Sequence, residues 1–459
     1  GCLAGAQSCF VGLPHRDTAV AVTPMEVAVF PKRLFTLLAD SDPGAFAAGR
    51  ANALLQVALA VSRSLVPLLR MFLAFGLQRL WLKSGEVLWV HAVSVGEVGA
   101  AAPLVRALRE RFPFAPVLIT TTTPTGYDTV TRQFGETVQH VYCPYDLPWI
   151  VRRFLRRFRP RMLLLMETEL WPNVIHECRR AEVPVVLVNG RMSEQSAKRY
   201  GVLRGFAAGM LRELTWLAVQ TAADAERLRQ LGAPADRISI TGSLKFDVHL
   251  PASVFEEGAA VRRELGINRP ILMAGSTRPG EEDILLDVLQ RLRASYPALL
   301  LVIAPRHPER FDAVAELCRK AHLRVARRQT GAGCEAEVDV FVVDTMGELL
   351  KFYAASDVAF VGGSLAPYGG QNVLEPAALG VPVVTGPHLH NFEDIATTLQ
   401  QAGALKIGAD ASALSVIIAG WLADSDRRDA AGRAGSDIVA SNKGATATVV
   451  GMLMETGLH

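Results

Sequence analysis

Residues 87–104, VLWVHAVSVGEVGAAAPL, decide how the chain is read. Val87 to Val93 is an unbroken apolar run with one histidine, the pattern of a strand buried on both faces. Ser94-Val95-Gly96-Glu97 interrupts it, and Val98 to Arg109 then carries apolar residues at helical spacing. Open α/β sheets place chemistry where a buried parallel strand turns into a helix, at the carboxyl end of the strand. The residue displayed at this turn is Glu97. A helix N-terminus favours an ionised carboxylate, so Glu97 is a candidate general base toward a hydroxyl. A helix-capping acid is the structural alternative.

The same alternation extends in both directions. Strand-like runs at 87–93, 116–121, 138–142, 162–166, 184–188 and 215–219 are separated by helical stretches. The pattern restarts at 271–274, 299–304, 340–343, 358–361 and 381–385. Two rounds of strand and helix predict an α/β protein with two doubly wound, Rossmann-like parallel-sheet domains facing each other across a cleft. A length of 459 residues is too great for one core and agrees with two domains. The boundaries are residues 81–245 for the first domain and 246–459 for the second. Residues 1–50 are left unassigned; they show no apolar segment with a cleavage site, so no signal peptide is expected. Residues 51–80 are read as an N-terminal, membrane-associated apolar helix. In it Arg63 and Arg70 share one helical face, and Pro67 would kink the helix. The charge-free runs fall short of a bilayer span, so a helix lying at the membrane surface is expected, with a buried core helix as the alternative.

Half of the residues are apolar and a fifth charged, which excludes a disordered chain. Six cysteines without a CxxC pair predict free thiols in a reducing compartment rather than a disulfide framework or zinc site. The net charge of +3 conceals an asymmetry: residues 1–245 hold 29 Lys/Arg against 19 Asp/Glu, and residues 246–459 hold 19 against 26. The first half is therefore expected to face an anionic surface or ligand. Six arginines, at 152, 153, 156, 157, 159 and 161, concentrate this charge on a helical face. An anionic lipid surface or simple solvation would explain them. Nucleic acid is not expected, since only Phe154 and Phe158 interleave the run.

Further candidates follow other strands. Glu167 and Glu169 lie beside Trp171-Pro172-Asn173 after the run 162–166, where they would orient a sugar or simply head a helix. Pro305-Arg306-His307 puts a guanidinium at a strand end. Gly362-Gly363-Ser364 and Gly369-Gly370-Gln371-Asn372 are turns whose amides would suit a phosphate, and Glu375 could accept ribose hydroxyls. Gly242-Ser243-Leu244-Lys245 adds a cation. There is no GxxxxGK[ST], no HExxH and no GxGxxG after a strand. Ala92-Val93-Ser94-Val95-Gly96 is close to a nucleophile elbow, so a serine hydrolase using Ser94 is a competing reading.

Taken together, HAVSVGEV (91–98), TTTTPTGY (120–127), PYDLP (144–148), METELWPN (166–173), VNGRMSEQS (188–196), TGSLKFD (241–247), APRHPERF (304–311), DTMGEL (344–349) and FVGGSLAPYGGQNVLEPAA (360–378) resemble the 3-deoxy-D-manno-oct-2-ulosonic acid (Kdo) transferases, in family order over residues 85–395. The resemblance implies the GT-B glycosyltransferase architecture. It implies Glu97 as general base, with Glu167 and Lys245 stabilising the transition state. It implies CMP binding by Pro305, Arg306, Met346, Gly347, Glu348 and the Asn372, Val373, Leu374, Glu375 segment. The implied reaction moves Kdo from CMP-Kdo to the lipid A precursor (lipid IVA) with inversion and release of CMP, in lipopolysaccharide synthesis. No metal and no cofactor is implied. The partners would be that lipid, CMP-Kdo and the anionic inner-membrane surface on its cytoplasmic face, without nucleic acid. A non-catalytic, membrane-bound nucleotide-binding scaffold on a degenerate transferase fold is the remaining alternative.

Overall fold

The structure is a computed structural model that describes residues 17–23, 26–31, 86–331 and 334–455. β1 (Asp17–Thr23) and β2 (Glu26–Pro31) pair antiparallel. The apolar stretch at 51–80 lies outside the described residues.

Two parallel seven-stranded sheets with flanking helices form the rest. The first contains β3 (Leu88–His91), β4 (Val117–Thr121), β5 (Gln139–Tyr142), β6 (Met162–Met166), β7 (Val185–Gly190), β8 (Trp216–Val219) and β9 (Ile238–Ile240), in the order β5-β4-β3-β6-β7-β8-β9. The second contains β10 (Ile271–Thr277), β11 (Leu300–Pro305), β12 (Val325–Arg327), β13 (Val340–Val342), β14 (Val358–Val361), β15 (Val383–Thr385) and β16 (Leu405–Ile407), in the order β12-β13-β11-β10-β14-β15-β16. Every residue of β3, β4, β6, β7, β10 and β11 is buried, which is why these strands read as continuous apolar runs. Packing separates the described chain into two compact units. One holds residues up to Ser94 with Ala115–Leu164 and Glu169–Val185; the other holds Val95–Phe114, Leu165–Thr168 and Val186 onward.

Each sheet winds outward from one strand. β3 lies between β4 and β6, and β10 lies between β11 and β14. The winding direction reverses at both places, and ligand sites in open α/β sheets form at such switch points. β1 and β2 fall in the segment left unassigned from the sequence, which showed no sign of them. The three strands of the parallel sheets missed in the sequence, β9, β12 and β16, are each three residues long and partly exposed. They are all sheet edges, where short strands leave no continuous apolar run to read.

Helix α1 (Val95–Arg111) starts three residues before the expected Val98, so Glu97 sits inside its first turn. α2 (Pro148–Phe158) and α3 (Pro172–Arg180) both begin with a proline in the first turn. On α2, Ile150, Val151, Phe154, Leu155 and Phe158 are buried, while Arg152, Arg153 and Arg156 are exposed. Phe154 packs 4.5 Å from both Trp89 and Phe158, so neither phenylalanine is available to stack a base. α4 (Glu281–Arg293), α5 (Leu374–Ala378) and α6 (Ala445–Glu455) belong to the second half of the chain. Among the described residues, no helix is long and apolar enough to cross a membrane. Cys143, Cys178, Cys318 and Cys334 are free thiols, the first three buried.

Candidate active site

Glu97 is held by α1 at the end of β3 and is 8% exposed. The turn before it is tied to the neighbouring strand: Ala92 N–H donates to Thr120 O (3.0 Å), and Thr122 N–H donates to Val93 O (3.3 Å). Below the turn, Thr120 Oγ1 accepts from Trp89 Nε1 (2.8 Å) and pairs with His91 Nδ1 (2.8 Å). Burial pushes the His91 pKa down to about 4, against a smaller upward effect from Thr120, so the imidazole is neutral at physiological pH. Ser94 immediately precedes the first residue of α1, the place where serine ordinarily caps a helix.

Glu167 follows β6 with φ of 54°. A positive φ is unusual for a side chain with a Cβ and concentrates at functional sites. Its N–H donates to Val188 O at 2.9 Å. Two other strand ends share the conformation: Asn189 in β7 (φ 55°) and Ser276 in β10 (φ 57°), both where the pairing register shifts. These are bulges that re-aim a strand end. Glu169 instead accepts from Trp171 Nε1 at 2.8 Å, and the Trp171 ring meets His91 edge-on at 5.2 Å. The 144–148 and 166–173 segments are joined by a remote helix cap, since Asp146 Oδ1 accepts from Val174 N–H (2.8 Å) at the start of α3.

Lys245 is carried on a 3-10 turn, Leu244–Phe246, that packs against both α1 and α6. Leu244 N–H donates to Asn189 Oδ1 at 3.0 Å, and Asp247 receives the N–H groups of Gly444 (2.7 Å) and Thr446 (2.6 Å) at the start of α6. The ammonium is thereby fixed 3.7 Å from Glu167 Oε1, donates to Asn391 O at 3.2 Å and lies 5.5 Å from the Phe392 ring centre. The structure thus brings Glu167 and Lys245 together, on a turn packed against the helix that bears Glu97. Neither Asn189 nor Asp247 was singled out from the sequence; the asparagine before glycine in VNGR was the one available hint.

In the second sheet, Arg306 follows β11 and its N–H donates to Thr277 O at 3.1 Å. Pro305 is buried as the last residue of β11. Asn372 lies just before α5, with Oδ1 accepting from Leu374 N–H (3.1 Å) and Nδ2 donating to Glu375 Oε1 (3.1 Å). Burial raises the Glu375 pKa, while the Asn372 bond and the Arg306 charge pull it down. Val373 and Leu374 are fully buried in the core, so only their backbone can meet a ligand. Met346 is 58% exposed, and Gly347 has φ of 84° with open space where a Cβ would stand. Burial alone would raise the pKa of Glu348, but Lys351, Thr345 and Arg328 outweigh it and hold the carboxyl down to about 2. Glu348 therefore orders its loop through an ionic cluster.

The glycine-rich turn at 362–364 does not do what the sequence suggests. Its amides are occupied by a carboxylate of the protein. Fully buried Glu281 accepts from Gly363 N–H (2.8 Å), Ser364 N–H (2.9 Å), Leu365 N–H (2.9 Å) and Arg278 N–H (2.8 Å). Glycine is required for this close approach: a Cβ on Gly362 would lie 2.5 Å from Ser276 O, and one on Gly386 2.3 Å from Ser364 O. Glu281 was missed because Glu281-Glu282-Asp283 reads as ordinary first-turn acids. Two hydroxyls at strand ends of this sheet, Thr277 Oγ1 and Thr385 Oγ1, are buried without a partner among the described residues.

The sequence model of the family described as "3-Deoxy-D-manno-octulosonic-acid transferase (kdotransferase)" matches residues 70–248. The 3-deoxy-D-manno-octulosonic acid transferase of Haemophilus influenzae is 39% identical over 367 residues, covering 80% of this chain and 86% of that protein. The enzyme of the same name from Bordetella pertussis is 43% identical over 367 residues, covering 78% and 84%. Among solved structures, the UDP-GlcNAc 2-epimerase of Neisseria meningitidis superposes with a TM-score of 0.52 at 15% identity, over 81% of this chain and 100% of that one, a likeness of fold alone. With Glu97, Glu167, Lys245 and Arg306 all present in the segments that carry the resemblance, the chain belongs to the 3-deoxy-D-manno-octulosonic acid transferase family of glycosyltransferases.

Proposed function

We propose that this Kdo transferase takes Kdo from CMP-Kdo and delivers it to the lipid A precursor, lipid IVA, with inversion, at the cytoplasmic face of the inner membrane. The observation that carries the reading is the Lys245–Glu167 pair at 3.7 Å, on a turn packed against the helix that bears Glu97. Base and charge-stabilising groups are thereby held on one rigid framework.

In this reading Glu97 takes the proton of an acceptor hydroxyl. The freed oxygen attacks the anomeric carbon of Kdo from the face opposite the phosphate. The carbon–oxygen bond to CMP breaks, CMP leaves with the bonding pair, and the proton remains on Glu97. A single displacement inverts the anomeric centre. Lys245 and Arg306 would offset charge on the sugar carboxylate and the departing phosphate, so no metal need be invoked. With the loop amides of 363–365 given to Glu281, side-chain cations and the α5 segment around Asn372 and Glu375 are left to hold the nucleotide.

The serine hydrolase reading is not favoured, because Ser94 stands at the capping position of α1 and the family is one of glycosyl transfer. The test is transfer from CMP-Kdo to tetraacylated lipid A precursor, followed by CMP release and lipid mass. We expect wild type to give product and Glu97→Ala to lose it while staying folded. A Glu97→Ala variant with wild-type turnover would exclude Glu97 as the base.

A further inference from the structure

A groove of about 960 Å³ lies where β3 and β6 begin. Arg152, Arg156, Arg159, Arg161 and Arg180 line it, against two carboxylates, Glu86 and Glu177. Glu177 is buried and already shared between Arg152 (3.3 Å) and Arg180 (3.7 Å), and Glu86 is paired with Arg161 (3.5 Å). Arg156 and Arg159 have no carboxylate partner among the described residues. The remaining lining, Leu155, Pro160, Ala181 and Val183, is apolar. Guanidiniums over an apolar floor match an amphiphile with an anionic head.

Arg159 adds a second observation. It closes α2 in the left-handed region, φ 44° and ψ 57°, with its N–H donating to Leu155 O at 2.8 Å. Glycine is the ordinary residue there, so an arginine occupies the position in spite of backbone strain.

We infer that this groove binds the phosphate headgroup of an anionic phospholipid, through Arg156 and Arg159, and so docks the domain on the bilayer. The inference rests on the membrane-surface reading above. None of the reacting groups lines the groove, so it concerns attachment and not chemistry.

The test is sedimentation of the full chain with vesicles of phosphatidylcholine alone or mixed with phosphatidylglycerol. A basic residue near such a surface contributes about fivefold to partitioning. Arg159→Gly should therefore weaken binding to the mixed vesicles about fivefold, and Arg156→Ala with Arg159→Gly about twenty-fivefold, with no change on neutral vesicles. Arg159→Gly also relieves the left-handed strain, so its unfolding midpoint should not fall, which separates lost binding from lost folding. Wild type that ignores both vesicle types would overturn the membrane reading itself. Wild type that prefers the anionic vesicles, with both variants binding equally well, would overturn the groove alone.

Discussion

Glu97 and Glu281 stand at equivalent places in the two sheets. Each lies in the first turn of the helix that follows a switch-point strand, Glu97 after β3 and Glu281 after β10. Both are buried, and the sequence presents both simply as acids at a helix start. Their surroundings separate them. Glu281 accepts four backbone N–H groups and fills the anion-binding turn that the glycines at 362 and 363 create. Glu97 belongs to a helix that packs with the Lys245 turn, near the strained strand end of Glu167. A carboxylate at a helix start is thus architectural where backbone donors converge on it, as four do on Glu281.

The largest effect is expected at Glu281. Alanine there leaves four buried N–H groups without an acceptor, which should cost about 4 kcal/mol or more and would be read from urea unfolding. A variant of wild-type stability would end the architectural assignment.

The next effect depends on pH and should single out the first sheet. His91 and His140 both have pKa values lowered by burial to about 4, while an unfolded histidine titrates near 6.5. Between these values the unfolded chain binds more protons, so stability is full above about pH 6.5 and falls as the pH drops toward 4. Fully buried His91 alone accounts for up to about 3 kcal/mol. Hydrogen exchange as a function of pH should show β3–β5 opening before β10 and β11, and His91→Gln should flatten the dependence. Equal opening of both sheets would contradict it.

A smaller effect, about a hundredfold in kcat, is expected for Lys245→Met, as for loss of one charge-stabilising group. Lys245→Arg should recover little of it, because a planar fork does not replace a point charge seated between Glu167 and Asn391 O. The smallest concerns Ser94→Ala. Loss of a helix cap should cost about 1 kcal/mol of stability and leave turnover within a few-fold of wild type; a collapse of turnover would revive the hydrolase reading.

The sequence made the interior of the fold legible and its rims not. The buried strands β3, β6, β10 and β11 announce themselves as apolar runs, and the residues after them, Glu97, Glu167 and Arg306, stand out as charges at strand ends. The edges β9, β12 and β16 are too short and too wet to leave a pattern. The glycine turn at 362–364 was legible as a place for an anion, but not which anion, because its occupant lies eighty residues upstream. Backbone strain was likewise invisible: nothing in the letters marks Glu167 or Arg159 as left-handed. Long-range contacts decide these features, and a local pattern does not carry them.

The most direct test of the central claim is a paired measurement on Glu97→Gln and Glu281→Gln, recording Kdo transfer and the unfolding midpoint on the same preparations. The account predicts that Glu97→Gln keeps the wild-type midpoint and loses transfer about a thousandfold, as expected for a missing general base. Glu281→Gln should lower the midpoint, with transfer retained in proportion to the folded fraction. If Glu97→Gln instead unfolds as Glu281→Gln does, and its activity merely tracks the folded protein, then both glutamates are architectural and the base lies elsewhere.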